Sequence, residues 1–456
     1  MEDRKRKWFY RIQFEELYGI ARDLRWSQRE CLLPGTAFSR GENLQNEFRK
    51  NLTFTLTPEQ EQVITKLNAL SRSEQKMHVL LQGDVGCGKT VTSFLASLNA
   101  LESGFQIAWL APTTVLAEQS YTVIHTWLAG LGYTCSLLTS RTPAREKRQI
   151  IHGLLRGSIH YIVGTHSLIE DSLSFAHLGM VVIDEQHRFG TAQRLKLQNK
   201  NPRADFLMMS ATPIPGSLAQ TVYSDLDILT ITAVPHERKP VKTHIVPPVK
   251  EQDMYRFITD RVLTHGEKIF WVIPRIEEDE ENSEIATITK REESLSRLLP
   301  ELTVYSLHGK MTPEEKSHVM KAFSLDSSGL LLATTVIEVG IDIPDATIMV
   351  IENCEFFGLA QLHQLRGRVG RSNRQSWAFL LPGNSAGEKT LERLQQFCST
   401  TDGFKIAEMD LRMRGTGEVL GNRQSGFSDI RFSNILHMAP VFKSIRTTVD
   451  ELLRET

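Results

Sequence analysis

Gly83-Asp84-Val85-Gly86-Cys87-Gly88-Lys89-Thr90 directly follows the apolar run His78-Val79-Leu80-Leu81 and leads into a helical stretch from Val91 to Leu101. The segment fits G-x-x-x-x-G-K-[ST] in the strand-loop-helix setting that the pattern requires, which sets it apart from a chance glycine turn. Gly83, Gly86 and Gly88 let backbone N–H groups approach phosphate oxygens, and the N-terminus of the following helix adds a favourable dipole. Lys89 is suited to neutralise the β- and γ-phosphate oxygens and Thr90 to ligate Mg²⁺. ATP with Mg²⁺ is therefore the expected ligand.

Outward from this loop, apolar runs alternate with amphipathic stretches: Ile107-Ala108-Trp109-Leu110, Tyr161-Ile162-Val163, Val181-Val182-Ile183 and Phe206-Leu207-Met208-Met209. That alternation predicts parallel strands with crossover helices. After a Pro-containing stretch, a second set follows: Lys268-Ile269-Phe270-Trp271-Val272, Thr303-Val304-Tyr305-Ser306, Leu330-Leu331-Leu332-Ala333, Ile348-Met349-Val350-Ile351 and Trp377-Ala378-Phe379-Leu380. The expected organisation is α/β in two tandem lobes with parallel sheets. A helical lead-in occupies residues 1–52, the first lobe 53–234, a linker 235–250 and the second lobe 251–384. A helical hairpin plus loop fills 385–456. In the lead-in, Phe14, Leu17, Tyr18, Ala21 and Leu24 fall on one helix face, a packing pattern. The acidic run Glu277 to Glu281 reads as a solvated loop.

Composition sets the limits. A chain of 456 residues with 41% hydrophobic content can bury two or three ordinary cores. Its apolar runs fall far short of the roughly 20 residues that span a bilayer, and the basic Met1 to Lys7 start lacks the apolar core of a secretory signal. A cytoplasmic location follows as the expectation. Cys31, Cys87, Cys135, Cys354 and Cys398 are scattered without a C-x-x-C pair, which argues against disulfides and zinc and for small buried residues. With 53 Lys+Arg against 54 Asp+Glu, any binding to phosphate polymers must come from a local basic surface.

Asp184-Glu185-Gln186-His187 emerges from the end of the run Met180-Val181-Val182-Ile183, where α/β sheets place ligands. Alone, these carboxylates read equally well as an exposed acidic loop. Beside the phosphate-binding loop, Asp184 is suited to hold Mg²⁺ and Glu185 to orient and deprotonate an attacking water. Ser210-Ala211-Thr212 closes the next strand, with two hydroxyls that could relay between the nucleotide and the rest of the lobe. In the second lobe, Gln364-Leu365-Arg366-Gly367-Arg368-Val369-Gly370-Arg371 sets three arginines among glycines. Arginine offers a fixed charge and a bidentate fork for phosphate, so Arg368 and Arg371 are expected as fingers that complete the nucleotide site when the lobes close. A merely basic surface helix is the alternative.

Together these segments resemble a superfamily 2 helicase, and more closely the RecG family of branched-DNA translocases. The most specific stretches are Asp184-Glu185-Gln186-His187-Arg188-Phe189-Gly190 with Gln193-Arg194, Met209-Ser210-Ala211-Thr212-Pro213-Ile214-Pro215, and Thr334 through Arg371. Leu56-Thr57-Pro58-Glu59-Gln60 also fits. The resemblance implies RecA-like lobes, with Gln60 reading adenine, His187 coupling the site to motion and Asp342 meeting the ribose. It further implies that Ala111-Pro112-Thr113 and Gly164-Thr165-His166 touch the DNA backbone. The tail from Asp402 to Gly426 resembles the family's translocation element, with Arg412, Arg414, Arg423 and Gln424 as candidate DNA contacts. Branched or duplex DNA is the implied partner, a single-strand-binding protein a further one, and the monomer the implied state.

The chain departs from the family pattern at Gly216, where a basic residue is usual, at Thr114, where an acidic one is common, and at Phe356, where arginine is usual. The family also carries an N-terminal wedge with an OB-like fold, which this chain is expected to lack; such folds supply stacking platforms for single strands. The leading reading is an ATP-dependent DNA translocase that remodels forks and Holliday junctions. Its alternatives are a duplex-stimulated ATPase without junction unwinding, a catalytically idle DNA-binding module, and an RNA-directed motor.

Overall fold

The computed structural model describes residues 42–186, 191–211, 226–232, 239–274, 283–334, 345–370, 373–383 and 386–414, together with Tyr18, 34–38, Phe189 and Ile343; for a few residues within helices it describes the backbone alone. The described residues form two compact units, the second spanning Val234–Asp410.

The first unit is built on β1 (His78–Gly83), β2 (Gln106–Leu110), β3 (Cys135–Leu138), β4 (Tyr161–Gly164), β5 (Leu178–Ile183), β6 (Asp205–Ser210) and β7 (Asp227–Ile231). They lie in the order β3-β4-β2-β5-β6-β1-β7, all parallel. Helices α1 (Asn43–Lys50), α2 (Pro58–Ser71), α3 (Lys89–Glu102), α4 (Thr114–Ala129), α5 (Ala144–Leu155) and α6 (Thr191–Lys200) accompany them. Central strands are continuously apolar because both faces are covered. Val79 and Leu81 pack on one face and Leu80 on the other, the period-2 alternation of a strand. On the first face Phe94 of α3 holds Phe48 and Trp127, each with ring centroids 4.9 Å from it.

The second unit carries β8 (Lys242–Ile245), β9 (Lys268–Val272), β10 (Thr303–Leu307), β11 (Gly329–Ala333), β12 (Ala346–Glu352) and β13 (Trp377–Leu381). Their order is β10-β11-β9-β12-β13-β8, again parallel. Its helices are α7 (Glu251–His265), α8 (Ser283–Leu298), α9 (Pro313–Leu325), α10 (Leu359–Arg366), α11 (Glu388–Ser399) and the greater part of α12 (Gly403–Arg414). All ten apolar runs read from the sequence are strands. Three further strands escaped that reading; β3, β7 and β8 are all sheet edges, and polar residues interrupt their apolar runs at Ser136, at Asp227 and Thr230, and at Lys242, Thr243 and His244. The structure differs at the expected 235–250 linker, where Lys242–Ile245 pairs with β13 as the edge of the second sheet. Leu394 and Phe397 of α11 are buried in the core of this unit. The lead-in helix expected around Phe14 to Leu24 lies outside the described residues except for Tyr18, and so does the acidic run Glu277 to Glu281.

Cys87, Cys135 and Cys354 are buried and Cys398 partly so, all as free thiols. Among the described residues no helix is long and apolar enough to cross a membrane.

Candidate nucleotide site and nucleic-acid rim

The order β5-β6-β1 sets three strand ends side by side. Gln82 of β1 is in register with Ser210 of β6, and Ile183 of β5 with Met208. The phosphate-binding loop, Ser210 and the Asp184-Glu185 pair therefore leave the sheet along one stretch of its carboxyl-end rim. Sequence reasoning grouped these residues by chemistry, and parallel pairing groups them in space.

The loop turns into α3 at Gly88, whose φ of 87° lies in the left-handed region. A Cβ at Gly88 would run into the Gln60 amide, and one at Gly83 would sit 2.6 Å from the Ile231 carbonyl oxygen. The backbone is therefore drawn close at both points, as a phosphate cradle requires. Lys89 Nζ donates to the carbonyl oxygens of Gly83 and Asp84, 2.9 Å each, so the ammonium is held over the loop. Burial pushes the Cys87 thiol above its ordinary value despite the nearby Lys89 charge, which keeps it a thiol.

Gln60 sits in the first turn of α2 and is 2% exposed. Thr57 caps that helix by accepting from Gln60 N at 3.2 Å, while Gln60 Oε1 accepts from Thr57 N at 2.7 Å. The remaining amide end reaches the loop, Gln60 Nε2 donating to Cys87 O at 2.8 Å. The residue expected to read adenine thus also fastens the capping box to the phosphate-binding loop.

Asp184 is held by its backbone N donating to Leu110 O at 2.8 Å. Glu185 takes a φ of 49°, rare outside glycine, and its Oε2 accepts from Ala211 N at 3.4 Å. Gln186 is buried, and its Oε1 has no hydrogen-bond partner among the described residues. The sequence reading used Gln186 only as a family marker. The Thr90 hydroxyl at a helix N-terminus and the Asp184 carboxylate at a strand end are hard oxygen donors, the type Mg²⁺ takes alongside phosphates. His187 and Thr212 lie outside the described residues.

The neighbouring half of the same rim belongs to β3, β4 and β2. Ala111 N donates to Gly164 O at 2.9 Å and Thr165 N to Leu138 O at 3.3 Å, binding the three strand ends together. Thr113 caps α4 by accepting from Leu116 N at 3.4 Å. Thr165 is 8% exposed, whereas His166 is exposed with its ring edge-on to Phe189 at 5.3 Å. Of Thr113, Thr165 and His166, all expected on the DNA backbone, His166 offers the most accessible side chain.

In the second unit the arginines separate. Arg366 is buried and donates to Phe397 O at 3.3 Å and Thr400 O at 2.9 Å, with its guanidinium 4.3 Å from the Phe397 ring centroid. It bolts α10 to α11. Arg368 follows in the turn after α10, 8% exposed. Asp410 of α12 accepts from Leu359 N at 3.0 Å, at the start of α10. Sequence reasoning missed Asp410, since a cap donated from 51 residues away leaves no local signature. Phe356, the departure from arginine, is 67% exposed. Arg412 is exposed on α12. Asp342, Arg371, Arg423, Gln424, Gly216 and the Arg414 side chain lie outside the described residues.

Comparison with known proteins follows this division. The family described as DEAD/DEAH box helicase matches residues 57–221, the helicase conserved C-terminal domain matches 256–373, and the C-terminal part of domain 3 of ATP-dependent DNA helicase RecG matches 400–456. ATP-dependent DNA helicase RecG of Thermotoga maritima is 41% identical over 97% of this chain and 56% of its own length. The protein of the same description from Streptococcus pneumoniae is 38% identical over 96% and 65%. A solved structure of RecG bound to a three-way DNA junction is similar with a TM-score of 0.78 and 39% identity, covering 95% of this chain and 57% of that one. Mss116p bound to single-stranded RNA shares the fold, with a TM-score of 0.60 at 17% identity over 81% of this chain and 80% of that one. This chain spans little more than half the length of the Thermotoga relative. Matched along nearly its whole length at about two-fifths identity, the chain belongs to the RecG family.

Proposed function

We propose that this chain is an ATP-driven DNA motor that converts hydrolysis in the first unit into remodelling of branched DNA such as stalled forks and Holliday junctions. The observation that carries the reading is the adjacency of the phosphate-binding loop, Ser210 and the Asp184-Glu185 pair at three neighbouring strand ends. The matched RecG structure is bound to a three-way junction, which supports a branched substrate.

In this reading the loop N–H groups and Lys89 hold the phosphates, and Gln60 meets adenine. Thr90 and Asp184 hold Mg²⁺, which when bound neutralises charge on the β- and γ-phosphate oxygens. Glu185 orients the attacking water and takes its proton. Arg368 and Arg371 supply charge to the transferring phosphoryl group, Asp342 meets the ribose, and His187 links the nucleotide to motion. Thr113, Thr165, His166, Arg412, Arg414, Arg423 and Gln424 contact DNA, with the tail from Asp402 to Gly426 as the element that moves it. We place this activity in the cytoplasm, with a monomer as the working form and a single-strand-binding protein as a further partner.

The test is steady-state ATP turnover with linear, forked and four-way DNA and with matched RNA duplexes. Stimulation by DNA, strongest with branched forms, is the expected result. No stimulation by any DNA contradicts the motor, and preference for RNA contradicts its substrate.

A further inference from the structure

Helix α5 has one exposed face that is basic from end to end. Arg145, Arg148, His152 and Arg156, the last at its C-cap, follow one another at intervals of three, four and four residues, the spacing of a single helix face. All four are exposed. Ile150 and Leu154 on the opposite side are buried in the core of the first unit, which fixes the basic face outward.

Among the described residues, the charges on this face are not spent on carboxylates. Arg148 Nε donates there only to the Ala144 carbonyl oxygen of its own helix, at 3.2 Å. No ion pair joins Arg145, His152 or Arg156 to an acid among the described residues. The cations that do pair lie elsewhere: Lys147, about 160° round the helix from Arg145 by the 3.6-residue turn, meets Glu170 at 2.6 Å, and Arg141 meets Glu118 at 3.6 Å. Glu146, the one acid within the helix, stands about 100° away from Arg145. In a chain whose net charge is -1, such an unmixed face is a local exception, and solubility alone is ordinarily served by interspersed signs.

Its position gives the face a direction. The N-terminus of α5 follows β3, whose carboxyl end Leu138 is tied to Thr165 on the rim described above. Eleven residues further, Arg156 lies about 16 Å down the flank, a length comparable to about five base-pair steps of duplex. We infer that the basic face of α5 is a second phosphate track for duplex DNA, running from the carboxyl-end rim down the flank of the first unit. This rests on the DNA motor proposed above and assigns it a binding surface for a duplex arm beyond the rim. Arg145 engages the backbone nearest the rim, Arg156 the backbone farthest from it, and no base is read.

The experiment measures the affinity of the full chain for a long duplex across a salt series, in parent and in the Arg145→Gln/Arg148→Gln/Arg156→Gln variant. The slope of log K against log salt should shrink by about 0.9 for each phosphate no longer neutralised, or about 2.7 for three. The single variants Arg145→Gln and Arg156→Gln should each reduce it by about 0.9, a readout that survives if the triple variant folds poorly. Replacing the same three arginines with lysine should keep the parent slope. Arg256→Gln/Lys290→Gln/Lys321→Gln, three exposed cations of the second unit, should keep it too. A parent slope in the glutamine variants, or an equal reduction in the second-unit control, overturns the track. Failure of the parent to bind DNA at all overturns the motor reading instead.

Discussion

Gln60 and the phosphate-binding loop are one hydrogen-bonded unit, with Gln60 Nε2 donating to Cys87 O at 2.8 Å while its Oε1 caps α2 through Thr57 N at 2.7 Å. Replacing Gln60 with alanine leaves a buried N–H and a buried carbonyl oxygen unsatisfied, at a cost of about 1–3 kcal/mol. Gln60→Ala should therefore lower the melting temperature without nucleotide as well as raise the KM for ATP. A variant with parental stability and raised KM would show that Gln60 meets only the nucleotide.

The two buried arginines of the second unit should respond differently to mutation. Arg366 serves two carbonyl groups and covers the Phe397 ring, and lysine cannot reproduce that planar fork. Arg366→Lys should destabilise the protein by about 1.5–3 kcal/mol, read as a shift in the urea midpoint. In the proposed motor Arg368→Lys should chiefly slow ATP turnover, because lysine lacks arginine's bidentate fork.

Asp410 caps α10 from another helix. Asp410→Ala should cost about 0.5–2 kcal/mol and speed amide hydrogen exchange at Leu359 and its neighbours. Unchanged exchange in that segment would contradict the cap.

Asp205 should make stability fall toward alkaline pH. It is 1% exposed, and its Oδ1 accepts from Met77 N at 2.8 Å. Burial raises its carboxyl from 3.8 to about 8, against the smaller opposing effects of that N–H and of Lys76. The unfolded chain therefore releases the proton at lower pH than the folded one. This contribution is complete below the unfolded value and is lost as pH rises through about 8. Asp205→Asn keeps an acceptor for Met77 N and removes the titration, so its urea midpoint should exceed the parent's at pH 9 and vary less between pH 5 and pH 9. A parent-like pH profile in the variant would refute the assignment.

What the sequence made legible follows from where each signal resides. Buried central strands announce themselves because both faces are apolar, and the loop from Gly83 to Thr90 does so because phosphate binding demands those residues in that order. The β8 strand did not, since Lys242, Thr243 and His244 look like linker until β13 pairs with them. The same blindness to tertiary pairing hid Asp410 as a cap and gave no structural role to Arg366. Only the fold shows that Arg366 is spent on the carbonyl groups of Phe397 and Thr400. The basic face of α5 was written in the sequence at helical spacing, but its meaning needed the burial of Ile150 and Leu154 to show which side faces out.

In the proposed motor Glu185, just beyond β5 with its carboxylate against Ala211 N, is the residue on which ATP-driven motion most directly depends. Single-turnover hydrolysis of bound ATP, with saturating branched DNA, should be slower in Glu185→Gln by about 10²–10⁴-fold while nucleotide binding persists. Hydrolysis at the parental rate in that variant would contradict the role of Glu185 as the base and, with it, the proposed motor.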